Sequence, residues 1–230
     1  PPIITPVQKF VFKNNIDNNF DVIISCGRKS VIPSIYLKKI SHKKIINIHI
    51  QNPKVSHKNF NYIIAPEHDG ISGKNVISSK GALHYLTIEE IKNSRDYLQN
   101  KTNTKKDILT LILGGPTKYY NYSTQNIKTV FSKIKNLKEK NNLHLVVIPS
   151  NRTPIETVSL AKSELINDAT IIETVDKKAY LSALSIAKYI VVTCDSSSMI
   201  SEAALTGKPV YVAMMETKRN DKRFKEFRKL

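Results

Sequence analysis

Short apolar runs alternate with longer stretches of helical periodicity along the 230-residue chain. The Ile- and Val-rich runs at 21–25, 45–50, 62–65 and 76–78 predict strands, and 30–39 and 88–97 predict helices. The second helix opens on Thr87 with Glu90 three residues on, the spacing of a capping box, in which each side chain meets a backbone N–H of the other's turn. A polar, aperiodic stretch at 99–106 predicts a linker, so the expected division is an N-terminal lobe at 1–100 and a C-terminal lobe at 101–230.

Beyond that stretch the same grammar repeats more cleanly. Strands are expected at 108–113, 143–148, 170–172, 189–193 and 209–213. Helices are expected at 123–139, from Pro154 onward, at 177–187 and at 196–205, the last closed by Gly207. Within 123–139, Ile127, Val130, Phe131, Ile134 and Leu137 recur at helical spacing and predict a core-facing stripe. Pro154 suits a helix start because its missing N–H has no intrahelical partner to lose. The tail at 222–229 predicts a short, mostly charged helix. Strand and helix in alternation predict parallel sheets with crossover helices: the α/β class, as two Rossmann-like lobes.

Composition narrows the setting. Hydrophobic residues make up 40% of the chain, enough for a core, yet no apolar run reaches the roughly 18 residues needed to span a bilayer. The first six residues lack the basic start and long apolar stretch of a signal peptide. The chain opens on Pro1 rather than Met, so a missing start is expected. Two cysteines, Cys26 and Cys194, are too few for a disulfide framework and too far apart in sequence for a metal cluster. They are expected as reduced, semi-buried thiols of a cytoplasmic protein. The net charge of +17 comes from dispersed Lys in a chain also rich in Asn and Ile, with few aromatics interleaved as a stacking platform. Most of that charge is expected on a solvated surface; nucleic-acid binding is disfavoured, and peripheral contact with an anionic membrane stays open.

In open parallel sheets, ligands bind beyond the carboxyl ends of the strands, which directs attention to a few residues. Gly114 and Gly115 follow the strand at 108–113; their backbone N–H groups could approach an anion that Lys118 neutralises, or they could simply form a tight turn. Arg152 follows the next strand and is the only Arg between Arg95 and Arg219, offering a rigid fork suited to phosphate. Ser196, Ser197 and Ser198 open a helix at its positive end, a phosphate site in the making, and Glu202 lies about one turn deeper, where a carboxylate can accept both hydroxyls of a ribose. Against this stands a surface Glu merely favoured by the helix dipole. Earlier in the chain, Glu67, His68 and Asp69 cluster at a strand end, and Asp69 or His68 is the candidate general base. A metal there would need a further ligand such as His84 or His49, and none is expected.

The segment 168–212 resembles the C-terminal half of glycosyltransferase-B enzymes: a strand, a small-residue turn, Glu202 on the helix, then Gly207-Lys208-Pro209-Val210. More narrowly, the strings at 24–30, 49–53, 65–69, 81–84, 114–116, 150–154 and 195–203 make the chain similar to the elongated-mitochondria type of mitochondrial fission protein family, found in plants and many bacteria. That resemblance implies a glycosyltransferase-B-like fold binding a nucleotide-sugar, UDP-linked, between two lobes. It implies transfer of the sugar to an unidentified acceptor without a metal or other cofactor. It equally admits a nucleotide-sugar 2-epimerase, or a non-catalytic, membrane-associated scaffold or division factor. Relatives carry a Gly-containing strand-turn-helix unit before this chain's first residue and continue past Leu230, so the first lobe is expected to be incomplete. Asn52 departs from the acidic residue that many relatives carry at that position, and no role is assigned to it.

Overall fold

The computed structural model describes residues 20–167 and 169–227. The signal-peptide reading of the first residues, Asp168 at the head of the 168–212 segment, and residues 228 and 229 of the expected tail helix lie outside them. The chain forms two compact units that divide between Ala82 and Leu83.

In the first unit, β1 (Val22–Cys26), α1 (Val31–Ile40), β2 (Ile46–Ile50), β3 (Tyr62–Pro66) and β4 (Val76–Ser79) build a four-stranded parallel sheet in the order β1-β2-β3-β4. Period-two alternation sets its two faces. Ile23, Ser25, Asn47, His49, Ile63 and Ala65 are buried, and α1 reaches this face through Asn47, whose side-chain amide donates to the Ser34 carbonyl at 3.2 Å. Val22, Ile24, Ile46, Tyr62 and Ile77 lie on the opposite face, exposed.

The second unit opens with α2 (Ile88–Asn93) and α3 (Asp96–Thr102), where one helix over 88–97 was expected. The capping box forms as predicted, Thr87 and Glu90 each accepting the other's backbone N–H at 3.1 Å. The break comes from Ser182. Its hydroxyl donates to the Arg95 carbonyl at 2.8 Å and accepts the Leu98 N–H at 2.9 Å, taking the donor that a continuous helix would return to residue 94. The fully buried Leu98 and the 2.6 Å bond from the Tyr97 hydroxyl to Asp176 tie α3 to the second unit. This is why the division falls at residue 82 rather than near 100, and why the first half of the expected linker is helical.

There follow β5 (Ile108–Leu113), α4 (Thr124–Lys140), β6 (His144–Pro149), α5 (Ile155–Leu165), β7 (Ala169–Ile171), α6 (Lys177–Ile186), β8 (Ala187–Thr193), α7 (Ser197–Ala204), β9 (Val210–Ala213) and α8 (Lys222–Phe227). Every pairing in the sheet is parallel, in the order β7-β6-β5-β8-β9. Both faces are covered, so β5 and β6 are buried along their whole length, as the near-continuous apolar runs of such strands require. Leu109, Leu111 and Leu113 pack against Ile127, Phe131 and Ile134 of α4, while Ile108 and Ile112 face the opposite core beside Leu98 and Leu184. Leu137, the last of the predicted stripe, stays exposed. Pro154 takes the N-cap position of α5, one residue before its expected place. Cys194 is fully buried, its Sγ accepting the Met215 N–H at 3.2 Å, but Cys26 is exposed at the end of β1, where the sequence suggested a semi-buried thiol; neither is in a disulfide.

Candidate functional site

From β5 the chain steps outward through β6 to β7, then returns to the other side of β5 for β8 and β9. The order reverses between β5 and β8, and a crevice at such a switch point is where this architecture places ligands. Three loops meet there at the carboxyl ends of neighbouring strands: Gly114-Gly115 after β5, Ser150 to Thr153 after β6, and Cys194-Asp195 after β8.

Asp195 organises them. Its side chain is 0% exposed, and a buried carboxylate is tolerable only when its lone pairs are matched. Oδ2 accepts Nη2 of Arg152 at 2.7 Å and the Gly115 N–H at 3.2 Å, while the Tyr122 hydroxyl donates to Oδ1. Burial first, and the Asp195 charge second, push the Tyr122 phenol well above its ordinary range, so it stays protonated as a donor. Arg152 also donates through Nη1 to the Gly115 carbonyl at 3.2 Å, and Thr193 Oγ1 accepts the Gly114 N–H at 2.8 Å.

This geometry gives the paired glycines a use other than the expected anion cradle. Both N–H groups are spent on protein acceptors. A Cβ on Gly114 would sit 2.1 Å from the Asp195 carboxylate, and one on Gly115 would sit 1.8 Å from the Arg152 carbonyl oxygen. The glycines are there because side chains and backbone press on them. Arg152 likewise spends both terminal nitrogens on Asp195 and Gly115, although 40% of its side chain remains exposed. Lys118 is not drawn into the cluster: it is exposed, its ammonium 4.8 Å from the centre of the Tyr119 ring.

One residue past Asp195, Ser196 caps α7, its hydroxyl accepting the Met199 N–H at 3.3 Å. Ser197 and Ser198 form the first turn, where helix geometry gives their N–H groups no intrahelical acceptor and the dipole favours an anion. Glu202 stands four residues after Ser198 and so shares its face of the helix. Half-buried, it accepts the Tyr180 hydroxyl from α6 on Oε2 at 2.6 Å. Burial first and the Glu202 charge second raise the Tyr180 phenol well above its ordinary range. Tyr180 therefore holds one carboxylate oxygen in place, and Oε1 is left for another donor.

In the first unit, β3 runs into a one-turn 3-10 helix, Glu67–Asp69. His68 is buried, and Asp69 accepts the Asn52 N–H at 3.4 Å. His49 is fully buried: Nδ1 lies 2.8 Å from the Ser25 hydroxyl, the ring tilts against Phe60, and Nε2 has no hydrogen-bond partner among the described residues. Burial alone depresses its pKa. Among the described residues, no three His, Cys, Asp or Glu side chains are placed to hold a metal ion, and no helix is long and apolar enough to cross a membrane.

Sequence reasoning passed over Asp195, Tyr122 and Tyr180. A Gly-Gly pair and an acid both placed directly after buried strands gave a usable signal for Asp195. The two tyrosines gave none, because their partners lie 73 and 22 residues away.

The parallel sheets and the loops at their carboxyl ends define an α/β protein of glycosyltransferase-B-like fold. UDP-GlcNAc 2-epimerase from Neisseria meningitidis bound to UDP-GlcNAc matches with a TM-score of 0.54 at 16% identity, over 88% of this chain and 61% of that one. The 2-epimerase of Methanocaldococcus jannaschii gives 0.55 at 16%, over 91% and 69%. Likeness at this identity is likeness of fold. In sequence, the chain is 30% identical to an uncharacterized protein of Rickettsia prowazekii (strain Madrid E) over 84% of its own length, and 22% identical to Mitochondrial fission protein ELM1 of Arabidopsis thaliana over 83%. It spans 64% and 51% of those two relatives. The mitochondrial fission ELM1 family model matches residues 3–230, and the chain belongs to that family.

Proposed function

We propose that the second unit binds a nucleotide-sugar at the start of α7, with a uridine diphosphate head. The observation that carries this is the pairing, on one helix face, of the Ser-lined first turn with a Glu202 carboxylate fixed on one oxygen by Tyr180. In this reading the amides of Ser197 and Ser198 receive the diphosphate, and Oε1 of Glu202 accepts from the ribose hydroxyls. Arg152 and Lys118 add positive charge at the same strand ends, although Arg152 acts mainly by locking Asp195. Support comes from fold neighbours whose structures hold UDP-GlcNAc and UDP.

The proposed reaction is transfer of the sugar to an acceptor hydroxyl. The acceptor oxygen attacks the anomeric carbon as its proton passes to a base, and the sugar's bond to the diphosphate breaks, leaving UDP with its charge met by the helix start. Asp69 is the proposed base because its carboxylate is half-exposed at the end of β3, whereas His68 is buried. Incubation of the full-length protein with UDP-linked sugars, followed by NMR of the products, separates the readings. Free UDP with a new glycoside supports transfer, and a 2-epimer of the same nucleotide-sugar assigns the epimerase reaction.

A non-catalytic reading draws on the family itself and on the +17 charge, which suits a protein acting at an anionic membrane. Binding of no nucleotide-sugar, together with salt-sensitive binding to anionic vesicles, would favour it.

A further inference from the structure

At the amino end of β8, roughly 20 Å along the strand from Thr193 by the rise per residue, lies a second concavity. An open cavity of about 460 Å³ is lined by α2, the end of α6, the first residues of β8 and the turn after α7. Four cationic side chains line it, Lys92, Arg95, Lys188 and Lys208, and no acidic one does. Lys188 is answered from outside the lining by Asp107 at 2.6 Å. Neither acid of α2 lines the cavity: Glu90 is engaged by the Thr87 cap and Lys177, and Glu89 is exposed.

The other three cations have no carboxylate partner in the cavity. Lys208 donates to the carbonyls of Leu184 and Ser185 at 2.8 and 2.5 Å, closing the carboxyl end of α6. Arg95 donates through Nε to the neutral side chain of Gln99 at 2.7 Å, leaving its planar Nη pair. Lys92 is exposed. Burial first, and the positive charge of Arg95 second, hold the Lys208 ammonium below its ordinary range. Helix capping accounts for Lys208 but not for a guanidinium and a second ammonium gathered beside it. Positive charge gathered around a half-buried ammonium in this way is stabilised by an anion, and a guanidinium fork suits phosphate in particular. The volume falls in the range of small-ligand sites, and Ile88, Ile91 and Ile186 give the cavity an apolar wall.

We propose that this cavity is an anion site, distinct from the start of α7, that holds a phosphate group among Lys92, Arg95 and Lys208. The phosphate belongs either to a free phosphorylated molecule or to a lipid headgroup; the chemistry of recognition is the same. The Gly207-Lys208-Pro209-Val210 string, which the sequence attached to nucleotide binding, thereby supplies a residue to the far end of the sheet.

Titration of inorganic phosphate at constant ionic strength, followed by the amide NMR signals of Thr206 and Lys208, tests the site. Arg95→Gln and Lys92→Gln change exposed side chains and preserve the α6 cap. Each is expected to weaken phosphate binding by roughly tenfold to a hundredfold, the value of a hydrogen bond to a charged group. Lys135→Gln, exposed on α4, removes the same charge elsewhere and is expected to change nothing. Phosphatidylcholine vesicles containing phosphatidic acid form the second arm. Vesicle binding lost in the same two variants assigns a lipid headgroup; phosphate binding without vesicle binding assigns a free molecule. Absence of saturable binding in both arms, or equal weakening by Lys135→Gln, overturns the proposal. Glu202→Ala leaves this site intact, so the two sites fail independently.

Discussion

The Asp195 carboxylate occupies the space that a side chain on Gly114 would need: a Cβ there would stand 2.1 Å from Oδ2. Backbone and buried acid are fitted to each other at the switch point of the second sheet, and the loops after β5, β6 and β8 are tied together around that carboxylate.

Gly114→Ala is therefore expected to destabilise the protein by about 1–3 kcal/mol, the cost of overpacking a well-filled site. Urea denaturation of wild type and variant measures it. An unchanged midpoint would show that Asp195 moves aside freely and does not anchor the three loops.

Arg152→Ala leaves Asp195 buried with the Tyr122 hydroxyl and the Gly115 N–H as its remaining donors. Breaking a fully buried pair costs roughly 3–5 kcal/mol. Exposure of the Arg152 side chain brings the expected loss down to about 1–3 kcal/mol. Arg152→Ala in an Asp195→Asn background should cost less than in wild type, because the charge left unpaired is gone. A double-mutant cycle by thermal denaturation reads the coupling, and strictly additive losses would contradict it.

Tyr180→Phe removes the donor that fixes Oε2 of Glu202 and little else. Thermal stability is expected to fall by about 1 kcal/mol, while affinity for uridine diphosphate falls severalfold as the carboxylate loses its orientation. Calorimetry on both proteins separates the two effects. Equal affinities would remove Tyr180 as a positioning residue.

His49 sets a pH dependence in the first unit. Its folded-state pKa is depressed by burial, below the unfolded value of about 6.5. Above that value both states hold the neutral ring and the group contributes full stability. As pH falls below it, the unfolded chain takes up the proton first, and stability is lost until the folded pKa is reached. Amide exchange of β2 at pH 7 and pH 5 should show protection falling more steeply in wild type than in His49→Leu. Parallel slopes would rule out His49 as the source.

Much of the fold was legible because local rules and tertiary packing agreed. Ile127, Val130, Phe131 and Ile134 announce a buried helix face, and the Thr87–Glu90 box marks a helix start, as the structure has them. The break between α2 and α3 was not legible, since it depends on a hydroxyl from Ser182, 87 residues from the carbonyl it reaches. The domain boundary failed for the same reason: a polar surface helix whose single buried Leu98 docks far along the chain looks like a linker. At the candidate site, the sequence pointed to residues at the right strand ends but misjudged what some of them touch. Gly114 and Gly115 were read as either an anion cradle or a tight turn, and Arg152 as a fork for phosphate; the structure turns them to Asp195, Thr193 and each other. Ser196 caps its helix, as its position allowed, and the Glu202 carboxylate proves to be anchored rather than free in solvent.

Calorimetric titration of uridine diphosphate into the full-length protein and its Glu202→Ala variant tests the central claim most directly. Saturable binding is expected in the wild type, and in the variant a roughly tenfold or greater loss of affinity, the scale of a charged hydrogen bond, without loss of fold. Equal affinity in the two proteins would contradict it.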